Sequence, residues 1–233
     1  RIVREVVADG GKLLLPVFAV GRTQLMLYLL AEMFCDGTVP EFPIYVDSPM
    51  AIEATRIYRS HLEYFDEEFQ RLRRCRPVLE AMKSFTPVPT AQDSMALNHE
   101  NGPCLIMAGS GMCTGGRILH HLKENLWRPE AHVIIVGYQA HGSLGRMLVE
   151  GEESVKIFGD RIAVKANIHT LGGFSAHAGQ SGLMEWFEPL AKMRPRLVLT
   201  HGEARGRDPL AQLIEERHGI TAEKPQLGDV IEI

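Results

Sequence analysis

Two histidines in the carboxyl-terminal part of the chain follow predicted strands, a position from which side chains are presented to ligands. His177 comes after a predicted strand that ends near Thr170, and His201 directly follows the run 197–200. Because a strand–helix–strand crossover brings both strand ends to one edge of a sheet, we expect the two imidazoles to converge on a common cleft. A lone histidine at a strand end is more often structural, and that alternative stays open for each of them.

A glycine-rich segment at residues 104–116 has the composition of a phosphate-binding turn between a strand and a helix. Glycines let the backbone approach a phosphate, and a helix start offers unpaired N–H groups. The segment matches neither the dinucleotide fingerprint, because Thr114 stands where that pattern needs a glycine, nor the P-loop, because no Lys-Ser/Thr pair follows. A merely tight turn is therefore the alternative to phosphate binding. The candidate binding residues are Gly109, Ser110, Gly111, Gly115, Gly116 and Arg117.

The remaining histidines and the four cysteines show no spacing that is typical of a site. His169 lies within a predicted strand and is expected in the core or near the site. The others, including His121 and His132, are expected on the surface or on a helix face. The cysteines form no C-x-x-C pair, which argues against a zinc ribbon and favours the thiols of a cytoplasmic protein.

Short apolar runs alternate with helical patterns through the first 150 residues. This alternation predicts an α/β fold with a parallel sheet that is covered by helices on both faces. A charged segment at residues 63–80 predicts a solvated helix, with an arginine patch near a substrate channel as the alternative. The predicted strands are residues 12–20, 43–47, 104–108 and 132–138, and the predicted helices are residues 22–34, 51–60, 116–125 and 144–149.

The character of the sequence changes near residue 150, which predicts one domain at residues 1–150 and a second at residues 151–233. Pro189 is expected to stop the first helix of the second domain. The elements predicted there are a hairpin of residues 155–158 and 162–170, helices at 180–187 and 209–217, and strands at 197–200 and 230–233.

Composition excludes several classes of protein. The 233 residues carry 45% hydrophobic and 23% charged side chains, close to the average of folded proteins, so the chain is not disordered. A formal net charge of −4 argues against non-specific coating of nucleic acid, but it allows a nuclease whose contacts lie in a cleft. No apolar run is long enough to span a membrane. The charged start lacks a signal peptide and an initiator Met, so we expect the chain to begin inside a larger protein.

Several stretches, in order, resemble the β-CASP group of metallo-β-lactamase-fold nucleases, in particular its bacterial and archaeal RNA-processing members. The resemblance implies a Rossmann-like β-CASP cap, followed by the carboxyl-terminal part of an αββα core that is often called the RNA-specificity segment. It also implies RNA as the substrate. The stretches are residues 11–22 with Pro-Val-Phe-Ala-Val-Gly-Arg, 44–51 with Tyr-Val-Asp-Ser-Pro-Met-Ala, 108–122, 136–146, 169–179 and 198–203.

Carried over residue by residue, the resemblance gives roles to the two histidines. His177 in Phe-Ser-Ala-His matches the family's motif B, which is thought to serve as general acid. His201 in Thr-His-Gly-Glu matches motif C, a ligand of one of two zinc ions. The glycine-rich segment and the turn at Asp47 and Ser48 match cap motifs near the nucleic-acid channel, so both are candidate substrate contacts.

The sequence departs from the family where most metal ligands should stand. No His-x-His-x-Asp-His motif occurs in the chain, and His201 is the one motif-matched zinc ligand. The resemblance therefore implies the carboxyl-terminal portion of a zinc-dependent ribonuclease, inactive by itself. Its expected partners are RNA, the missing amino-terminal half and a second copy of the chain.

Two other functions remain open from the sequence. One is a non-catalytic RNA-binding scaffold subunit, against which the retained His177 and His201 argue. The other is a nucleotide-binding α/β protein that uses the glycine-rich segment. The extra residue in that segment and the lack of an acidic ribose partner count against it.

Overall fold

The computed structural model describes residues 1–70, 85–174 and 177–232. The chain divides into two compact units, Arg1–Phe174 and Ser175–Ile233. The predicted solvated helix at residues 63–80 begins at Glu67 and lies for the most part outside the described residues. None of the described helices combines the length and the apolar character that a membrane span requires.

The first unit is built on a six-stranded sheet in which every pair of neighbouring strands is parallel. The strands β1, β4 and β5 are buried along their whole length, as their continuous apolar runs predict. The predicted α/β class is thereby confirmed. In order across the sheet, the strands are β3 (Phe85–Pro87), β2 (Ile44–Asp47), β4 (Cys104–Ala108), β1 (Lys12–Pro16), β5 (His132–Ile135) and β8 (Asn167–Thr170).

Helices cover both faces of this sheet, and alternate residues of each strand pack on opposite sides. Leu14 of β1 belongs to one apolar cluster with Leu122, while Leu13 and Leu15 belong to another with Leu27. The two-sided burial that the sequence predicts is therefore present. The α-helices of this unit that lie wholly within the described residues are α1 (Ile2–Asp9), α2 (Arg22–Cys35), α3 (Pro49–Ser60), α4 (Ala91–Ala96), α5 (Ile118–Asn125) and α6 (Leu144–Glu150).

An antiparallel hairpin of β6 (Ser154–Ile157) and β7 (Asp160–Ala163) precedes the last strand of the sheet. The strand predicted at residues 162–170 is two strands, because the chain bends where the N–H groups of Lys165 and Ala166 both donate to the Leu126 carbonyl. After the bend, β8 pairs with β5. The boundary predicted near residue 150 thus lies inside the first compact unit.

The second unit contains α7 (Gln180–Ala191), β9 (Leu197–Val198), α8 (Ala204–His218) and β10 (Ala222–Glu223). Met184 and Phe187 of α7 pack with Ile214 of α8 in a small apolar core. Strand β9 pairs in parallel with β10. Two predictions are wrong here, since α7 continues through Pro189 and the last described strand is β10 rather than one at residues 230–233.

Candidate functional site

Four loops of the first unit lie at one edge of the six-stranded sheet, because each follows the carboxyl end of a strand and these strands are parallel neighbours. The strands are β2, β4, β1 and β5, the inner four of the sheet. Each loop carries one of the stretches on which the family resemblance depends. The candidate residues of the first unit therefore meet at a single edge.

The glycine-rich loop after β4 is closed by hydrogen bonds within itself. The Ser110 hydroxyl oxygen accepts the N–H group of Thr114 at 2.9 Å and that of Gly115 at 3.3 Å. The Ser110 N–H donates to the Gly115 carbonyl at 3.0 Å. Ser110 therefore fixes the shape of the loop from inside.

Neighbouring elements hold the outer part of this loop. The Gln139 side-chain amide donates to the Gly111 carbonyl at 2.9 Å, and the Gly145 N–H donates to the Met112 carbonyl at 3.2 Å. Within the described part of the chain, the N–H groups of Gly111, Met112 and Gly116 donate to no acceptor. They are the N–H groups that the loop can offer to an anion.

A buried carboxylate stands beside the loop. Asp47, the last residue of β2, is fully buried, and its two oxygens are bound by three side chains from other elements. Arg117 donates to Oδ1 at 2.6 Å, Ser94 donates to Oδ2 at 2.5 Å, and His121 Nε2 lies 2.6 Å from Oδ2. This Asp47 network joins β2 to the helices α4 and α5.

Arg117 is committed to the same network. Its guanidinium group also donates to the carbonyls of Val88 at 2.8 Å and Pro89 at 3.0 Å. Asp47 and Arg117 therefore bind each other, and both oxygens of the buried Asp47 are already occupied by protein side chains. A direct contact between Asp47 and the substrate stays a prediction.

Ser48, the residue after Asp47, caps helix α3. Its hydroxyl oxygen accepts the N–H of Ala51 at 3.2 Å. A contact between Ser48 and the substrate stays a prediction.

The hydrogen bonds of Asp47 decide its charge state. Burial raises the pKa of the carboxyl group, but the hydrogen bonds from His121, Ser94 and Arg117 lower it by more. The net pKa lies below the ordinary value of 3.8. Asp47 is therefore a carboxylate at neutral pH.

Two histidines that were expected at the surface are buried and paired. His121 binds Asp47, and His132 Nδ1 lies 2.9 Å from Nε2 of His169, with the two rings parallel to within 2°. His121 stands four residues after Arg117, on the same face of α5, and this spacing is the signal that could have found it. Burial and the neighbouring His132 lower the pKa of His169.

His177 and His201 both lie in the second unit and are exposed. Strand β8 belongs to the six-stranded sheet while β9 pairs with β10, so the crossover that led us to place the two histidines together does not exist. Their convergence stays a prediction. His201 has a left-handed backbone with φ of 59°, a conformation that costs about 1–3 kcal/mol for a residue other than glycine and that concentrates at functional sites.

The residues present do not by themselves make a zinc site. No group of three or more His, Cys, Asp or Glu side chains that could hold a metal ion occurs among the described residues. A zinc site needs three or four protein ligands. His201 can thus be one ligand of a site that needs others.

Comparison with protein families assigns most of the chain. Residues 23–148 match the Beta-Casp domain, and residues 161–225 match the Zn-dependent metallo-hydrolase RNA specificity domain. The chain belongs to the β-CASP family of metallo-β-lactamase-fold nucleases. The four edge loops fall within or directly before the first of these matches.

Named relatives agree with this assignment. The chain is 40% identical over 223 residues to the ribonuclease TTHA0252 of Thermus thermophilus, covering 93% of this chain and 49% of the relative. It is 33% identical over 247 residues to the transcription termination factor FttA of Pyrococcus horikoshii, covering 100% of this chain and 36% of the relative. An RNase J-like protein of Methanocaldococcus jannaschii is 31% identical over 231 residues, covering 99% and 52%. The β-CASP chain spans about half or less of the length of these relatives.

Gly116 tests the closure of the loop. It has a φ of 75°, and an added Cβ would collide with the backbone of Gly109. We expect Gly116→Ala to lower the free energy of unfolding by more than about 2 kcal/mol. Gly115→Ala is the matched control, because a Cβ there meets nothing within 4 Å. Urea unfolding of both variants checks this, and equal stabilities would contradict it.

Asp47→Asn tests the buried carboxylate. Because Arg117 and His121 would lose their charged partner, we expect the free energy of unfolding at pH 7 to fall by about 3–5 kcal/mol. In the parent chain the contribution of Asp47 is fully present above pH 3.8. It is lost as the pH falls towards the depressed pKa, since the unfolded chain takes up the proton first. Urea unfolding between pH 3 and pH 7 should show a flatter acid limb for Asp47→Asn than for the exposed control Glu152→Gln. The same pH dependence of the free energy of unfolding in both variants would contradict a stabilising role for the Asp47 carboxylate.

His201→Gly tests whether the left-handed backbone is kept for function. Glycine adopts this φ without strain, so we expect the variant to unfold at the same temperature as the parent, or to gain up to about 1 kcal/mol. His201→Val should lose about 1–2 kcal/mol, because a β-branched side chain is least tolerated there. A marked loss of stability in His201→Gly would show that the imidazole is retained for structural contacts.

Proposed function

We propose that this chain is the carboxyl-terminal portion of a zinc-dependent ribonuclease that hydrolyses RNA phosphodiester bonds. The observation that carries the proposal is the pair of family matches, the second of which is described as a Zn-dependent metallo-hydrolase RNA specificity domain. A relative that is named a ribonuclease, at 40% identity, supports RNA as the substrate. The cap binds the RNA, and the segment after it supplies reacting groups.

Phosphate binding in this proposal falls to the glycine-rich loop. The N–H groups of Gly111 and Gly116 have no acceptor in the described residues, and the start of α5 adds its partial positive charge. Arg117 acts at a distance, since its guanidinium group holds the loop to Asp47. Backbone contacts of this kind position an RNA strand without reading its sequence.

The reacting groups are the two exposed histidines. As the phosphodiester P–O bond breaks, His177 in its protonated form gives its proton to the leaving oxygen. His201 contributes one imidazole to a metal site. In this proposal the other ligands come from the amino-terminal part of the enzyme, because no His-x-His-x-Asp-His motif occurs in this sequence. No step is assigned here to the metal itself.

The second unit has exposed apolar side chains, and the proposed function includes a partner that buries them. Trp186 and Leu183 stand three residues apart on α7 and are 68% and 40% exposed, and Met193 and Val230 are also exposed. Exposed apolar surface on a soluble protein marks an interface. The remaining part of the enzyme, or a second copy of the chain, is the proposed occupant.

A cytoplasmic location belongs to the same proposal. Cys104 and Cys113 are reduced and buried, and burial raises the pKa of Cys104 to about 11 and that of Cys113 to about 12. Buried protonated thiols of this kind are inert and are typical of a reducing compartment.

Activity measurements test the proposal. We expect the purified chain to bind single-stranded RNA with an affinity that falls as salt rises, to bind zinc weakly and to hydrolyse RNA negligibly. Adding the separately expressed amino-terminal part of the enzyme should restore chelator-sensitive cleavage. His177→Ala and His201→Ala should each abolish that rescue, while the exposed control His99→Ala should not.

The outcomes separate the proposal from its rival. Chelator-sensitive cleavage by the chain alone would show that its site is complete and would contradict a divided site. RNA binding without any rescue would favour the non-catalytic RNA-binding scaffold.

A further inference from the structure

An aromatic side chain stands exposed at the edge of the sheet where the glycine-rich loop lies. Phe18 belongs to the loop after β1 and is 52% exposed. Because β1 lies between β4 and β5, Phe18 has the glycine-rich loop on one side and the loop that carries the 54% exposed Tyr138 on the other. Several aromatic side chains of the described residues are exposed, and Phe18 differs from them in touching the glycine-rich loop.

The backbone that carries this ring is fixed. The N–H of Val17 donates to the carbonyl of Ala108 at 3.0 Å, which ties the loop to the end of β4. The Phe18 carbonyl accepts the hydroxyl of the buried Thr23 at 2.8 Å and the N–H of the same residue at 3.3 Å. The side-chain amide of Gln24 donates to the Ala19 carbonyl at 3.1 Å. The backbone that carries the ring is therefore held in place before any ligand binds, so ordering it adds little entropic cost.

The ring lies directly against the glycine-rich loop. A Cβ added to Gly111 would stand 3.0 Å from Cδ2 and Cε2 of Phe18, so the ring covers the backbone of that glycine and leaves its remaining surface to solvent. The unpaired N–H groups of Gly111 and Met112 thus belong to the loop that the ring touches. An aromatic surface beside anion donors matches one nucleotide unit, a base next to its phosphate.

We propose that Phe18 is a base-stacking residue, on which one base of single-stranded RNA lies while the glycine-rich loop holds a neighbouring phosphate. This inference rests on the proposed function, and it names the Phe18 ring as the group that binds a base of the substrate. Every base has a π face, so the contact tolerates any sequence. It requires an unstacked base, and it therefore selects single strands over a duplex.

Binding measurements on the intact 233-residue chain test this directly. The probes are a single-stranded oligoribonucleotide that contains 2-aminopurine and its abasic counterpart. Phe18→Leu keeps an apolar side chain but removes the π face. We expect it to weaken binding of the base-containing RNA by about 5- to 100-fold, the range that base–aromatic stacking supports.

The same variant should bind the abasic strand as the parent chain does, because the phosphate contacts are unchanged. It should keep the salt dependence of the parent and lose the quenching of 2-aminopurine fluorescence. Phe18→Trp should restore both affinity and quenching. Val20→Ala is the matched control, since Val20 is an exposed apolar residue of the same loop, and it should change neither.

Two results would overturn the inference. The first refutes base stacking alone, and the second also refutes the proposed function. If the chain binds RNA but Phe18→Leu leaves the affinity unchanged, or weakens both strands equally, stacking is refuted and RNA binding stands. If the parent chain binds neither strand at any salt concentration, both the stacking and the proposed function fail.

Discussion

The geometry of the sheet edge depends on one buried carboxylate. Asp47 has no contact with water, and a lone charge in such a place would cost several kcal/mol. The hydrogen bonds from Arg117, His121 and Ser94 offset this cost. Arg117 and His121 come from the start of α5, and Ser94 comes from α4. Because these hydrogen bonds to Asp47 must form simultaneously, they fix the position of the start of α5 relative to the end of β2. The loop between β4 and α5 inherits that position.

The network also determines what the loop can offer a ligand. With its guanidinium bound to Asp47 and to two carbonyls, Arg117 is not the mobile cation that its place beside a glycine-rich loop predicts. The donors that remain are backbone N–H groups, which are neutral and fixed in direction. A chain with a formal net charge of −4 can then attract phosphates at one edge without a basic surface.

The long elements were predictable because burial on both faces leaves a continuous apolar run, and Cys104–Ala108 was predicted to the residue. The predictions failed for features that leave no periodic pattern of apolar residues in the sequence. The strand β3 and the helix α4 have three and six residues, too few for a pattern. The burial of His121 depends on a partner 74 positions away in the chain, which the apolar periodicity does not show. The domain boundary near residue 150 stays a prediction, and β8, which follows it, pairs with β5 inside the first compact unit.

The two units contribute different kinds of chemistry. At the sheet edge of the first unit the Asp47 network is turned inward, and the groups that face outward include backbone N–H donors, the rings of Phe18 and Tyr138, and the exposed His141. In the second unit the motif histidines His177 and His201 are exposed, and one of them keeps a backbone conformation that stability alone does not favour. Cys113 in the glycine-rich loop has a similar φ of 55°, so a left-handed backbone at a residue other than glycine occurs in both units. If the proposed function holds, a substitution at the sheet edge alters the affinity for RNA, while one at either histidine alters its cleavage.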